Sequence, residues 1–202
     1  MDLHYLNIRK TVSGFFSLPV IFVESEKFSY VKQGSIFRIL KCFFPEYLRA
    51  GDYNVVAVDW SKLASWDNYP QAASNAILVG EHVGEMLSDL IRKTGLNPKN
   101  IHIIGHSLGS HVSAHIGRQI QRSGLGKIGR ITALDPARPW FDGSNLPRRI
   151  SKRDAEFVDV IHTNGGSVTE VNISCICEIS PTLQNFFISQ IKTFKSLVYY
   201  FI

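Results

Sequence analysis

The sequence predicts an α/β fold, a mainly parallel sheet with helices packed on it, and three observations predict it. Short apolar runs at 53–59, 101–105, 130–134 and 157–161 have the length of strands, and Val55 to Val58 is continuously apolar, as in strands covered on both faces. Residues 70–94 and 108–121 carry apolar side chains at helical spacing. Strand, helix, strand, helix in that order calls for parallel pairing through crossovers. At 202 residues, 45% hydrophobic and 19% charged, the chain has the size and composition of one globular domain, which excludes a disordered polymer.

Taken in order, residues 1–44 hold two apolar runs, Leu18–Val23 and Ile36–Phe44, that read as a strand and a helix. Arg9 and Lys10 precede the apolar stretch from Val12 to Val23 as in a signal peptide. Ser13, Gly14, Ser17 and Pro19 interrupt it, however, and no small-x-small cleavage site follows, so no convincing signal is expected. Gly51 stops a helix end at Tyr47–Asp52, and the strand Tyr53–Asp59 follows, with Asp59 and Trp60 at its carboxyl end, where open α/β sheets bind ligands and where the two read at least as well as anchors of the next loop. In the helix Pro70–Thr94, Pro70 suits the first turn. Ile77, Val83, Met86, Leu87, Leu90 and Ile91 keep one face apolar, Gly80 and Gly84 allow close packing on the sheet, and Gly95 ends the helix. Strand 101–105 leads into the helix from Leu108 to Gln121. The strands Arg130–Leu134 and Phe157–Ile161 complete the set.

The stretch Gly105-His106-Ser107-Leu108-Gly109 joins strand to helix with a G-x-S-x-G pattern. Such a turn holds its serine in a strained backbone that only flanking glycines make room for, and it lifts the hydroxyl above the sheet edge. It also aims the backbone N–H of Leu108, at a helix N-terminus, where an oxyanion would form. His102, His106, His111 and His115 tempt a metal reading, with the last two four residues apart. A zinc hydrolase of that spacing needs a glutamate as base beside the first histidine, and Val112 stands there instead. No metal and no other cofactor is expected, and His111 and His115 are expected at the helix surface or core edge.

Gly105-His106-Ser107-Leu108-Gly109-Ser110-His111, then Leu134-Asp135-Pro136-Ala137, then Asp154 through Thr163 closely resemble the pancreatic lipase family, including insect-type lipases and phospholipases A1. The resemblance spans about 47–166 of a single domain, 1–202, with divergent ends at 1–46 and 167–202. It implies a truncated α/β-hydrolase that cleaves carboxylic esters of acylglycerols or phospholipids at a lipid interface, extracellularly. Ser107 would be the nucleophile and Asp135, after its strand, the acid; Gly105 and Gly109 form the elbow, and Leu108 N–H is one oxyanion donor. The family's second donor follows a His-Gly turn, and no His-Gly pair occurs in this sequence. The family's catalytic histidine comes from a loop further downstream than His162, which leaves His162, the last histidine of the chain, as the fallback base. Weak turnover is therefore expected, the alternative being a non-catalytic lipid-binding or interaction protein derived from a lipase.

Other features bound the partners. Nine Lys or Arg between Arg118 and Arg153 face only Asp135 and Asp142, a balance that suits solvated loops better than an anionic lipid surface. No nucleic-acid partner is expected, and no run is long enough for a transmembrane helix. Cys42, Cys175 and Cys177 are too few and too unevenly spaced for a disulfide framework. Leu183, Phe187, Ile191, Phe194 and Val198 mark a basic amphipathic segment near the C-terminus. Whether Asn172 carries a glycan is left open.

Overall fold

A computed structural model describes residues 4–8, 18–24, 53–64, 66–138, 140–141 and 148–161. Six strands, β1 (His4–Ile8), β2 (Leu18–Glu24), β3 (Tyr53–Asp59), β4 (His102–His106), β5 (Arg130–Leu134) and β6 (Phe157–Ile161), form one sheet in the order β1-β3-β2-β4-β5-β6. Only the β1–β3 pair is antiparallel. β1 is not expected from the sequence, because its five residues His4-Tyr5-Leu6-Asn7-Ile8 are too few and too mixed to carry a pattern. Two long helices follow their strands, α1 (Tyr69–Thr94) and α2 (Leu108–Arg122), within a residue of the expected limits.

The ends of α1 have local causes. The Asn68 side chain accepts a hydrogen bond from Gln71 N–H, Pro70 occupies the first turn, and Gly95 at φ 70° closes the helix with its N–H on Ile91 O. Its buried face is narrower and smaller than the sequence suggested. Ala72, Ala73, Ala76, Val79, Val83, Leu87 and Ile91 are buried, whereas Leu90 is 42% exposed. Gly80 and Gly84 do not meet the sheet as expected but meet α2. A Cβ on Gly80 would collide with the His115 side chain and Val112 O, and one on Gly84 with the Gln119 side chain. Small residues bring the two helix backbones together, and α2 lies close on β4, β5 and β2.

Alternation along the strands separates the two faces. The register rows Ile103–Ile131–Val158 and Gly105–Ala133–Val160 join Val112, Ile116 and Ile120 of α2 in the core. The rows His102–Arg130–Phe157 and Ile104–Thr132–Asp159 lie on the other face. Trp60, after β3, is buried, and its carbonyl accepts Leu63 N–H at 2.8 Å, in keeping with a loop anchor. The expected helix at Ile36–Phe44, the helix end at Tyr47–Asp52, the three cysteines, Asn172 and the amphipathic segment all lie outside the described residues.

Candidate active site

Ser107 sits between β4 and α2 at φ 53° and ψ −120°, a conformation that costs a non-glycine residue roughly 1–3 kcal/mol. Gly105 makes it possible. A Cβ on Gly105 would strike the backbone carbonyl of Gly109 and come within 2.5 Å of Ser113 Oγ, so the strand end and the first turn of α2 touch only because position 105 has no side chain. Ser110 Oγ–H donates to Gly105 O at 2.9 Å, tying the same two segments together, while Ser113 Oγ–H donates to Gly109 O at 2.8 Å within α2. The Ser107 hydroxyl caps no amide of α2. Leu108 is the first residue of α2, where backbone N–H groups have no intrahelical acceptor and the helix dipole is positive.

The segment around Asp135 is bound to Ser107 through the backbone on both sides. Ser107 N–H donates to Leu134 O at 2.9 Å, and Ala137 N–H donates to Ser107 O at 3.2 Å, so the two main-chain groups of Ser107 bracket Asp135-Pro136. Asp135, itself at φ 40°, donates its N–H to Ile161 O at 2.8 Å. Ser107 and Asp135 thus follow the carboxyl ends of adjacent parallel strands, the edge where open α/β sheets bind ligands. His162 and the segment 25–52, where the family's second oxyanion donor would be found, lie outside the described residues.

The histidines of α2 depart from expectation. His111 is completely buried: its Nε2 lies 2.8 Å from Ala137 O, its Nδ1 accepts Ile150 N–H at 3.2 Å, and its ring stacks on Phe141 at 3.6 Å between centroids. The carbonyl can only accept and the amide can only donate, so His111 is the neutral Nε2–H tautomer. Burial lowers its pKa to about 3, against the smaller opposing effect of the Ala137 hydrogen bond. His115, 3% exposed, has its Nε2 3.1 Å from Arg148 O, and burial with Arg118 beside it lowers its pKa to about 4. One turn on, Arg118 grips Asp154 with Nε at 2.8 Å and Nη2 at 3.0 Å and also donates to Arg149 O; Gln121 Nε2 then donates to Arg153 O at 3.1 Å. Positions 111, 115, 118 and 121 share one face of the helix, and together they bind the segment 148–154. Among the described residues no group of three His, Cys, Asp or Glu side chains could hold a metal.

The basic run is likewise not simply solvated. Arg118 pairs with Asp154, and Arg130 makes a forked pair with Asp159, Nε and Nη2 each at 2.9 Å. Neither pair is legible in the charge balance between Arg118 and Arg153, because Asp154 and Asp159 lie beyond it. What could have found the first is the helical spacing of polar residues at 111, 115, 118 and 121, on a face that amphipathic logic would assign to solvent.

A family model described as Lipase matches residues 27–179, reaching beyond the 47–166 span on both sides. The chain is 34% identical over 160 residues to a phospholipase A1 of Vespula maculifrons, covering 75% of this chain and 52% of that protein. It is 47% identical over 111 residues to a pancreatic triacylglycerol lipase of Oryctolagus cuniculus, covering 55% and 23%. A phospholipase A1 of Vespa crabro is 37% identical over 137 residues, covering 64% and 46%. The chain therefore spans about half the length of these phospholipases A1 and about a quarter of the pancreatic lipase. With its parallel sheet and its serine at the strand-to-helix elbow, this chain has the α/β-hydrolase fold and belongs to the lipase family.

Proposed function

We propose that this chain carries the nucleophile and acid of a lipase-type carboxylic ester hydrolase acting on acylglycerols or phospholipids at a lipid surface. One observation carries the reading: a strained elbow at Ser107 whose backbone brackets Asp135. Ser107 Oγ attacks the ester carbonyl carbon while its proton passes to a histidine, which Asp135 orients and stabilises as imidazolium. The oxyanion forms beside Leu108 N–H, and its collapse expels the alcohol, which takes the proton; water then repeats the sequence on the acyl-enzyme. Within this sequence His162 is only the fallback for that base, because the family's histidine comes from a loop further downstream. An extracellular location accompanies the reading by family resemblance. Among the described residues no helix is long and apolar enough to cross a membrane.

A fluorophosphonate probe tests it, since phosphonylation needs both an activated serine and oxyanion stabilisation. The expected result is slow labelling that Ser107→Ala abolishes and Asp135→Asn reduces about a hundredfold or more. His162→Gln reduces it further if His162 is the base, and equal labelling assigns the base elsewhere. No labelling above the Ser107→Ala background overturns the hydrolase reading in favour of the non-catalytic one.

A further inference from the structure

One buried group near the site has no part in the chemistry just described. His111 projects from the first turn of the helix that Ser107 opens, and its Nε2 bonds the carbonyl of the residue whose N–H bonds Ser107 O. We infer that His111 is a positioning residue: as the neutral Nε2–H tautomer it clips the turn carrying Asp135 to the nucleophile helix and so fixes the acid relative to Ser107.

The geometry supports this from three sides. Ala137 is held at both ends of its residue, its N–H on Ser107 O at 3.2 Å and its C=O on His111 Nε2 at 2.8 Å. Only Pro136 separates Asp135 from that clamp, and Asp135 lies in a strained backbone at φ 40° that its surroundings must impose. Phe141, 1% exposed, stacks on the imidazole with the planes 10° apart, closing the turn from its far side. The second ring nitrogen takes Ile150 N–H, in the segment leading to β6, whose last carbonyl receives Asp135 N–H. A single side chain thereby ties the turn that follows β5 to the segment that leads into β6. No other neutral side chain combines a donor, an acceptor and a flat stacking face in this spacing.

The inference rests on the hydrolase reading for its consequence, though not for its geometry. Two replacements separate the ring's two bonds. In His111→Gln the amide nitrogen stands where Nε2 stood and keeps the bond to Ala137 O; in His111→Asn the amide oxygen stands where Nδ1 stood and keeps only the bond to Ile150 N–H. Ile116→Val, a core change elsewhere on α2, supplies a general loss of stability.

Fluorophosphonate labelling and amide hydrogen exchange are measured on all four proteins, and nitrogen-15 shifts of the parent's histidines report the tautomer. The expected result is an Nε2–H tautomer at His111. His111→Asn should exchange Ala137 N–H and label Ser107 each changed by about tenfold, faster and slower respectively, while His111→Gln stays within about threefold of the parent. Labelling that tracks global stability equally in the Asn, Gln and Val variants overturns the inference, as does an Nδ1–H tautomer. A parent that does not label defeats the hydrolase reading alone; the exchange rates and the tautomer still decide whether His111 clips the turn.

Discussion

At their carboxyl ends β4 and β5 run into Ser107 at φ 53° and Asp135 at φ 40°, two non-glycine residues in the left-handed region, whereas the amino ends of β4, β5 and β6 are fastened by ordinary hydrogen bonds. Gly129 N–H reaches Pro98 O, Arg130 N–H reaches Ile101 O, and Phe157 N–H reaches Gly129 O, each at 3.1 Å. Side chains continue the pattern. Arg130 forks onto Asp159, which also accepts the Thr132 hydroxyl at 2.9 Å; since that proton is spent, His102 Nε2–H is the donor to Thr132 Oγ1 at 2.8 Å. One end of the sheet completes its polar groups, and the other concentrates backbone strain where the nucleophile and acid are proposed. A fold can hold strained residues at one edge because the rest over-determines them.

The largest expected effect tests the satisfied end. Asp159→Ala removes the carboxylate that Arg130 forks onto and the acceptor of the Thr132 hydroxyl, and should cost about 3 kcal/mol in urea denaturation. Replacing the pair together, as Arg130→Met with Asp159→Leu, should recover most of that, because an apolar pair leaves no charge buried alone. A loss below about 1 kcal/mol in the single variant would mean that the network does not hold these strands.

The helix strip that links the two ends should be the acid-sensitive element. His111 and His115 have folded pKa values of about 3 and 4, below the ordinary 6.5, so both are neutral in the fold, and the unfolded chain gains protons first as pH falls. Their stabilisation is complete at pH 7 and is lost as pH falls below about 6.5 toward 4. At pH 5 each should have cost about 2 kcal/mol. His115→Gln should shrink the stability difference between pH 7 and pH 5 by that amount, and an unchanged difference would show that His115 is not held neutral.

The smallest effect, opposite in sign, tests the strained end. Ser107→Gly relieves a conformation that glycine adopts freely, and after the entropy glycine loses on folding it should raise stability by about 1 kcal/mol while ending fluorophosphonate labelling. A destabilised Ser107→Gly protein would mean that the elbow is not strained.

The elements that could be read directly were those whose signal is local. Asn68, Pro70 and Gly95 set the limits of α1 through caps and a positive φ, and the apolar runs of β3 to β6 needed only burial on a sheet. Ser107 was legible because the two glycines record a steric requirement inside five residues. What misled were choices of partner: Gly80 and Gly84 signal close approach without saying to what, and His111 four residues before His115 signals a shared helix face without saying what covers it.

By itself the sequence determined that an α/β sheet forms, where its main helices start and stop, and that a serine stands at a strand-to-helix elbow with an aspartate after the next strand, because each of these follows from periodicity, capping or steric fit within a few residues. Only the tertiary structure decided that Ser107's backbone brackets Asp135, that Arg118 and Arg130 find Asp154 and Asp159, and that the polar face of α2 is buried against 148–154. Those outcomes depend on pairings between residues 27 to 39 positions apart, whose energies come from desolvated hydrogen bonds that exist only once the sheet has brought the partners together.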